Sequence, residues 1–179
     1  ALGALLGLAY AARRLDHNGE PTKLMRGGLI VGLVAFPAVI FSAPLGSALL
    51  FFIGALLIGF GAGLFSVATL ILAMTIPISG IAGRGLAIGA WGAAQATAAG
   101  ISIALGGFLR DFINYHAMRG SWGEALATPA TGYSFVYHSE IALLIVTLLV
   151  LMPLIRQGRR VASKTDQGSA GIRLADFPM

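Results

Sequence analysis

The sequence predicts an all-α fold, a polytopic membrane helix bundle. Three observations carry this reading. Only 11% of the residues are charged and 57% are apolar, where a soluble domain carries about 25% charged residues, and the mean hydropathy is +0.86. The apolar residues gather into runs that reach the roughly 20 residues a bilayer crossing needs. The third observation is the tract Gly85-Leu-Ala-Ile-Gly-Ala-Trp-Gly-Ala-Ala-Gln-Ala-Thr-Ala-Ala-Gly100, lined with tiny residues and carrying one amide, Gln95. In water such a helix gains little, since each glycine costs about 1 kcal/mol against alanine. In lipid, glycine lets backbones approach closely.

Five apolar segments follow in order. Residues 1–12 are too short to cross and read as the cut end of a helix; the run lacks the basic start and cleavage site of a signal peptide, so the chain reads as an internal piece of a longer protein. Residues 24–43 form the second segment, with Pro37 as an expected kink. Residues 45–75 form the third, closed by Pro77 and Gly80, and residues 85–109 the fourth. Residues 134–155 form the fifth, and residues 157–179 a polar tail expected to be mobile.

The connecting segments give a sidedness. Arg13, Arg14, Lys23, Arg26, Arg84, Arg156, Arg159, Arg160, Lys164 and Arg173 all fall on one side if every segment spans, and only Arg110 and Arg119 fall opposite. The excess of positive charge inside then puts the C-terminus in the cytoplasm. The net charge of +5 is therefore topology, with no nucleic-acid partner implied. The segment from Arg110 to Tyr133 is rich in aromatics, among them Phe112, Tyr115 and Trp122, and suits either an interfacial loop or a docking surface.

The residues that could carry chemistry are few. With no cysteine there are no disulfides, iron–sulfur clusters or thiolate metal sites. His17, His116 and His138 show no metal-cluster spacing, and no nucleophile triad, phosphate loop or paired carboxylates occur, so no metal site, no catalytic residue and no enzyme are expected. Gln95 shares a helical face with Ala99, Ser102 and Gly106 and points at whatever packs there, as an interhelical hydrogen bond or toward a ligand. Ser66 and Thr69 lie one turn apart and can bond back to their own helix. Gly85, Gly89 and Gly92 form a packing stripe in the fourth segment. Gly59 and Gly63 make a contact motif in the third, as do the pairs Gly3 and Gly7, and Gly28 and Gly32. Glu140 is either an interfacial charge near a helix start or an intramembrane carboxylate with a function.

Two tracts carry a family resemblance. The run Gly85 to Gly100, ending in Gly106-Gly107-Phe108-Leu109-Arg110-Asp111, is the first, and Gly132-Tyr-Ser-Phe-Val-Tyr-His-Ser-Glu-Ile141 with Thr147-Leu-Leu-Val-Leu-Met-Pro-Leu-Ile-Arg156 the second. Both resemble the C-terminal half of the PucC/LhaA family, the bacteriochlorophyll-delivery branch of the major facilitator superfamily, over roughly residues 1–156. The facilitator loop signature, G-x-x-x-D-R-x-G-R-R, is only dimly echoed by Gly7 to Asp16. The resemblance implies the last five of twelve helices of a facilitator-type fold, with the N-terminal half absent. It implies assembly of light-harvesting antennae in phototrophic bacteria, by handing over bacteriochlorophyll or shielding antenna polypeptides, in the inner or intracytoplasmic photosynthetic membrane. Antenna polypeptides and the reaction centre would be partners beside the lipid bilayer, and bacteriochlorophyll a transient cofactor. Gln95, Glu140, His138 and Trp91 are then the expected pigment- or partner-binding residues. An ordinary secondary transporter of a small solute and a structural membrane subunit without pigment are the competing readings.

Overall fold

The computed structural model describes residues 1–17, 19–75 and 81–170, and side chains within residues 1–17, 19–75 and 85–153. These residues form five helices: α1 (Leu2–Asp16), α2 (Pro21–Ser42), α3 (Ala48–Met74), α4 (Ile81–Met118) and α5 (Ala130–Ala170), with a 3-10 turn at Glu124–Leu126 before α5. Four stretches are long and apolar enough to cross a membrane: Pro21–Ser42, Ala48–Met74, Gly85–Met118 and Ala130–Pro153. The molecule is an all-α, multi-pass membrane bundle.

Local chemistry sets the helix ends. Pro21 opens α2 at its first turn, where its missing N–H would have had no helical partner. Pro37 lies inside α2, and the helix runs through it to Ser42. The chain then turns at Gly46, whose φ of 58° is one that glycine adopts without strain. Ser47 caps α3 by accepting a hydrogen bond from the Leu50 N–H at 3.3 Å. Pro77, Gly80 and the Arg84 side chain lie outside the described residues, as do the side chains of the basic C-terminal stretch.

The tight part of the bundle is α1 and α2 laid on α3. Its contacts are made by missing side chains. A Cβ on Gly63 would sit 2.6 Å from the Ala4 carbonyl oxygen, one on Gly59 would sit 3.0 Å from the Ala4 nitrogen, and Gly3 and Gly7 press on the carbonyls of Leu56 and Phe60. Across the α2–α3 contact, Gly28 and Gly61 lie back to back, each leaving only 2.6–2.7 Å between a would-be Cβ and the other's carbonyl oxygen. This is the close backbone approach that holds membrane helices together when no water drives them. Met25, Ala11, Leu64 and Ala68 fill the space beside it.

Two expectations change. The fourth helix extends well past Leu109 to Met118, and the fifth begins at Ala130, so the connection is residues 119–129 and Phe112 and Tyr115 ride on a helix. The ladder continues there because Arg110 to Met118 contains neither glycine nor proline. The fifth helix also runs through the polar tail to Ala170, since Gln, Arg, Lys and Ala are good helix formers and polarity alone does not end a helix. Among the described residues, a Cβ on Gly85, Gly89 or Gly92 meets no atom within 4 Å.

Candidate functional site

The face where α4 meets α3 brings four polar side chains together. Ser66 and Thr69 are three apart on α3, and Trp91 and Gln95 four apart on α4, so each pair shares a helix face. Gln95 Nε2 donates to Ser66 Oγ at 2.8 Å, and Trp91 Nε1 donates to Thr69 Oγ1 at 3.3 Å. Thr69 Oγ1 in turn lies 2.9 Å from the Phe65 carbonyl and 3.0 Å from that of Ser66 and gives its one proton to this pair of acceptors. Thr69 thus bonds back to its own helix, whereas Ser66 serves the neighbouring one. Whichever way the Gln95 amide is turned, its other end stays unused by these partners.

Around this contact α4 divides into three faces. At 100° per residue, Gly85, Gly89, Gly92 and Ala96 lie about 60–120° from Gln95, Ile103 continues their stripe, and Ile101, Leu105 and Phe108 lie on the far side from it. Ile101, Leu105 and Phe108 are 54–68% exposed, and every residue from Ala93 to Leu105 is exposed. No residue in the most apolar part of Gly85–Met118 is buried, against a third in that of Pro21–Ser42. The stripe of small residues that the sequence marks for close packing is therefore built and open.

The far end of α4 is pinned to α5. Asn114 Oδ1 accepts from the Gly132 N–H at 2.9 Å, satisfying one of the amides that a helix start leaves without a partner. A Cβ at Gly132 would sit 2.6 Å from the Arg110 carbonyl oxygen, so the two helices touch there through glycine. Arg110 bridges Asp111 at 2.6 Å, donates to the Tyr133 hydroxyl at 3.0 Å and lies 5.3 Å from that ring's centre. Phe112, Tyr115, His116 and Trp122 cluster beside it, with ring centres 4.8–6.0 Å apart.

His138 sits in a cleft of about 400 Å³ at this end, with Ile113, Trp122, Leu126 and Phe135 among its walls. Its Nδ1 lies 2.6 Å from the Ser134 carbonyl oxygen, which can only accept, so Nδ1 carries the proton. In a neutral ring with that proton, Nε2 would carry the lone pair. One such donor in an apolar cleft fits the chemistry of a magnesium macrocycle. Among the described residues no group of three His, Asp or Glu side chains could hold a metal ion by itself. Glu140 is half-buried and lies ten residues into α5, so it is no first-turn charge. His138 and Glu140 share one end of α5, while Trp91 and Gln95 face α3 on α4. The four expected residues make two places, not one. The sequence reading passed over Asn114, whose spacing to Gly132 carries no signal until the helices meet.

The family model described as PUCC protein matches residues 1–159. The chain is 48% identical over 178 residues to an uncharacterized protein in the puhA-bchM intergenic region of Rhodobacter capsulatus, which covers 99% of this chain and 37% of that protein. It is 48% identical over 111 residues to Protein PucC of Rhodovulum sulfidophilum, covering 62% of this chain and 24% of the relative. With Protein PucC of Rhodobacter capsulatus it shares 38% over 163 residues, 89% of this chain and 33% of the relative. The chain thus spans between a quarter and two fifths of the length of these relatives. No solved structure matches it.

Proposed function

The chain belongs to the PUCC protein family, and on that premise we propose that it is part of an assembly factor for photosynthetic light-harvesting complexes. It works in the membrane on antenna polypeptides or on the bacteriochlorophyll they take up, and catalyses no reaction. The observation that supports this most is the open small-residue face of α4. Bulky side chains such as Ile101, Leu105 and Phe108 suit lipid tails, whereas a glycine and alanine stripe suits the backbone of another helix or a flat ring. A soluble solute has little use for such a surface. The remaining length of the protein, the antenna helix or the pigment would lie against it.

His138 Nε2 is the side-chain atom best prepared to bind a central magnesium, with its tautomer fixed by Ser134. The unused end of the Gln95 amide can take a polar substituent of the same cargo. The basic end of the bundle, with Arg13, Arg14, Lys23 and Arg26, faces the cytoplasm of the photosynthetic membrane by the positive-inside rule.

Deleting the full-length gene tests the proposal. Light-harvesting absorption should fall while pigment synthesis continues at first, and Glu140→Gln or Gln95→Leu in the full-length protein should lower co-purified bacteriochlorophyll. A transporter of a small solute is the second reading, favoured by the convergence of Ser66, Thr69, Trp91 and Gln95 where α3 meets α4. Unchanged antenna levels with a new uptake or efflux defect would establish it instead. Loss of antennae with no pigment ever bound would leave a structural chaperone.

A further inference from the structure

We propose that the cleft between α1, α2 and α3 at the basic end of the bundle binds an anionic phospholipid, with its phosphate at Arg14 and Lys23. The cleft holds about 580 Å³, within the roughly 300–1,000 Å³ typical of small-molecule sites. Its wall is apolar, made by Leu24, Val31, Phe60 and Leu64, and its mouth is polar, made by Tyr10, Arg14, Glu20 and Lys23. Helical spacing builds both parts. Tyr10 and Arg14 are four apart on α1, Phe60 and Leu64 four apart on α3, and Leu24, Gly27 and Val31 follow at three and four on α2.

Gly27 gives the cleft its depth. A Cβ there would meet nothing within 4 Å, unlike the neighbouring Gly28, which lies against Gly61. The mouth is organised for a single negative charge. Glu20 holds Lys23 at 3.0 Å, and Tyr10 accepts the Arg14 Nε–H at 3.0 Å with the guanidinium 5.6 Å from its ring centre. Among the described residues, that leaves the terminal nitrogens of Arg14, the fork that grips phosphate, for the ligand. Two cations against one carboxylate give a mouth of net +1, which matches a phosphodiester. The positive end of the α2 dipole adds to it. An amphiphile with an anionic head and apolar chains is what such a mouth and wall select, and in a membrane-crossing chain that amphiphile is the surrounding lipid.

Native mass spectrometry of the detergent-purified full-length protein tests this with phosphatidylglycerol and phosphatidylcholine of identical chains. Wild type should retain phosphatidylglycerol about tenfold better, and Arg14→Gln and Lys23→Gln should each lower that preference roughly fivefold. Gly27→Leu should fill the cleft without touching backbone and cut retention by a similar factor at unchanged helicity. Equal retention of both lipids by wild type, or undiminished retention in Gly27→Leu, overturns the proposal. Complete displacement of the lipid by millimolar inorganic phosphate also overturns it, because the site would then hold a free anion. Should Gly27→Leu fail to fold, Arg14→Gln decides alone, and an unchanged lipid preference there is a contradiction. None of these outcomes depends on whether antennae assemble.

Discussion

Ser66 and Gln95 are joined at 2.8 Å across helices that otherwise touch lightly, so this bond carries much of what holds α4 to α3. Hydrogen bonds between membrane helices average about 0.6 kcal/mol, and the expected effect is of that order. Ser66→Ala and Gln95→Leu should each destabilise the protein by about 0.6 kcal/mol, and the double variant by no more than one of them. A double-mutant cycle on thermal unfolding in detergent reads this directly; additive losses would mean the two side chains do not act as a pair. Asn114 makes a sharper case, because it caps an amide of another helix. Asn114→Ala should cost about 1 kcal/mol, the usual worth of such a cap, and Asn114→Asp should recover most of it. Amide hydrogen exchange at Gly132 is the readout, and unaltered protection in Asn114→Ala would remove the cap from the account.

The glycine helices separate into two kinds that look alike in sequence. Gly59 and Gly63 on α3 are pressed on α1, whereas Gly85, Gly89 and Gly92 on α4 meet nothing within 4 Å among the described residues. Gly63→Leu should therefore unseat α1, because a large side chain cannot enter where a Cβ already lies 2.6 Å from a carbonyl oxygen. Gly89→Leu should leave the fold intact. Limited proteolysis of the α1–α2 connection would separate them, with rapid cleavage in Gly63→Leu and wild-type resistance in Gly89→Leu. The sequence shows that a stripe of small residues can pack, since that follows from the helical repeat. It does not show what the stripe packs against, since that depends on which helices become neighbours. The same limit explains the site. The spacing of Ser66 with Thr69 and the face of Gln95 were legible, and so was the presence of the spans. Their meeting across two helices was not, nor was Asn114 reaching Gly132. Segment ends misled for another reason: hydropathy marks where apolar residues stop, while α4 runs on to Met118, just before Gly120 with its φ of 71°.

The described residues form a tight unit of α1 to α3, with α5 packed on α2 and joined to α4 at one end, and with much of α4 open. The small residues from Gly85 to Ala99 are open in this chain, which spans 37% of the length of one relative, and Ile103, 77% exposed, continues the same face. The account stands on that face being used in antenna assembly. The measurement that tests it is co-purification of antenna polypeptides with the full-length protein carrying Gly89→Leu or Gly92→Leu, at membrane levels matched to wild type. The account predicts wild-type abundance and helicity with the antenna polypeptides and their pigment lost from the complex. Wild-type amounts of bound antenna polypeptide in both variants would contradict it.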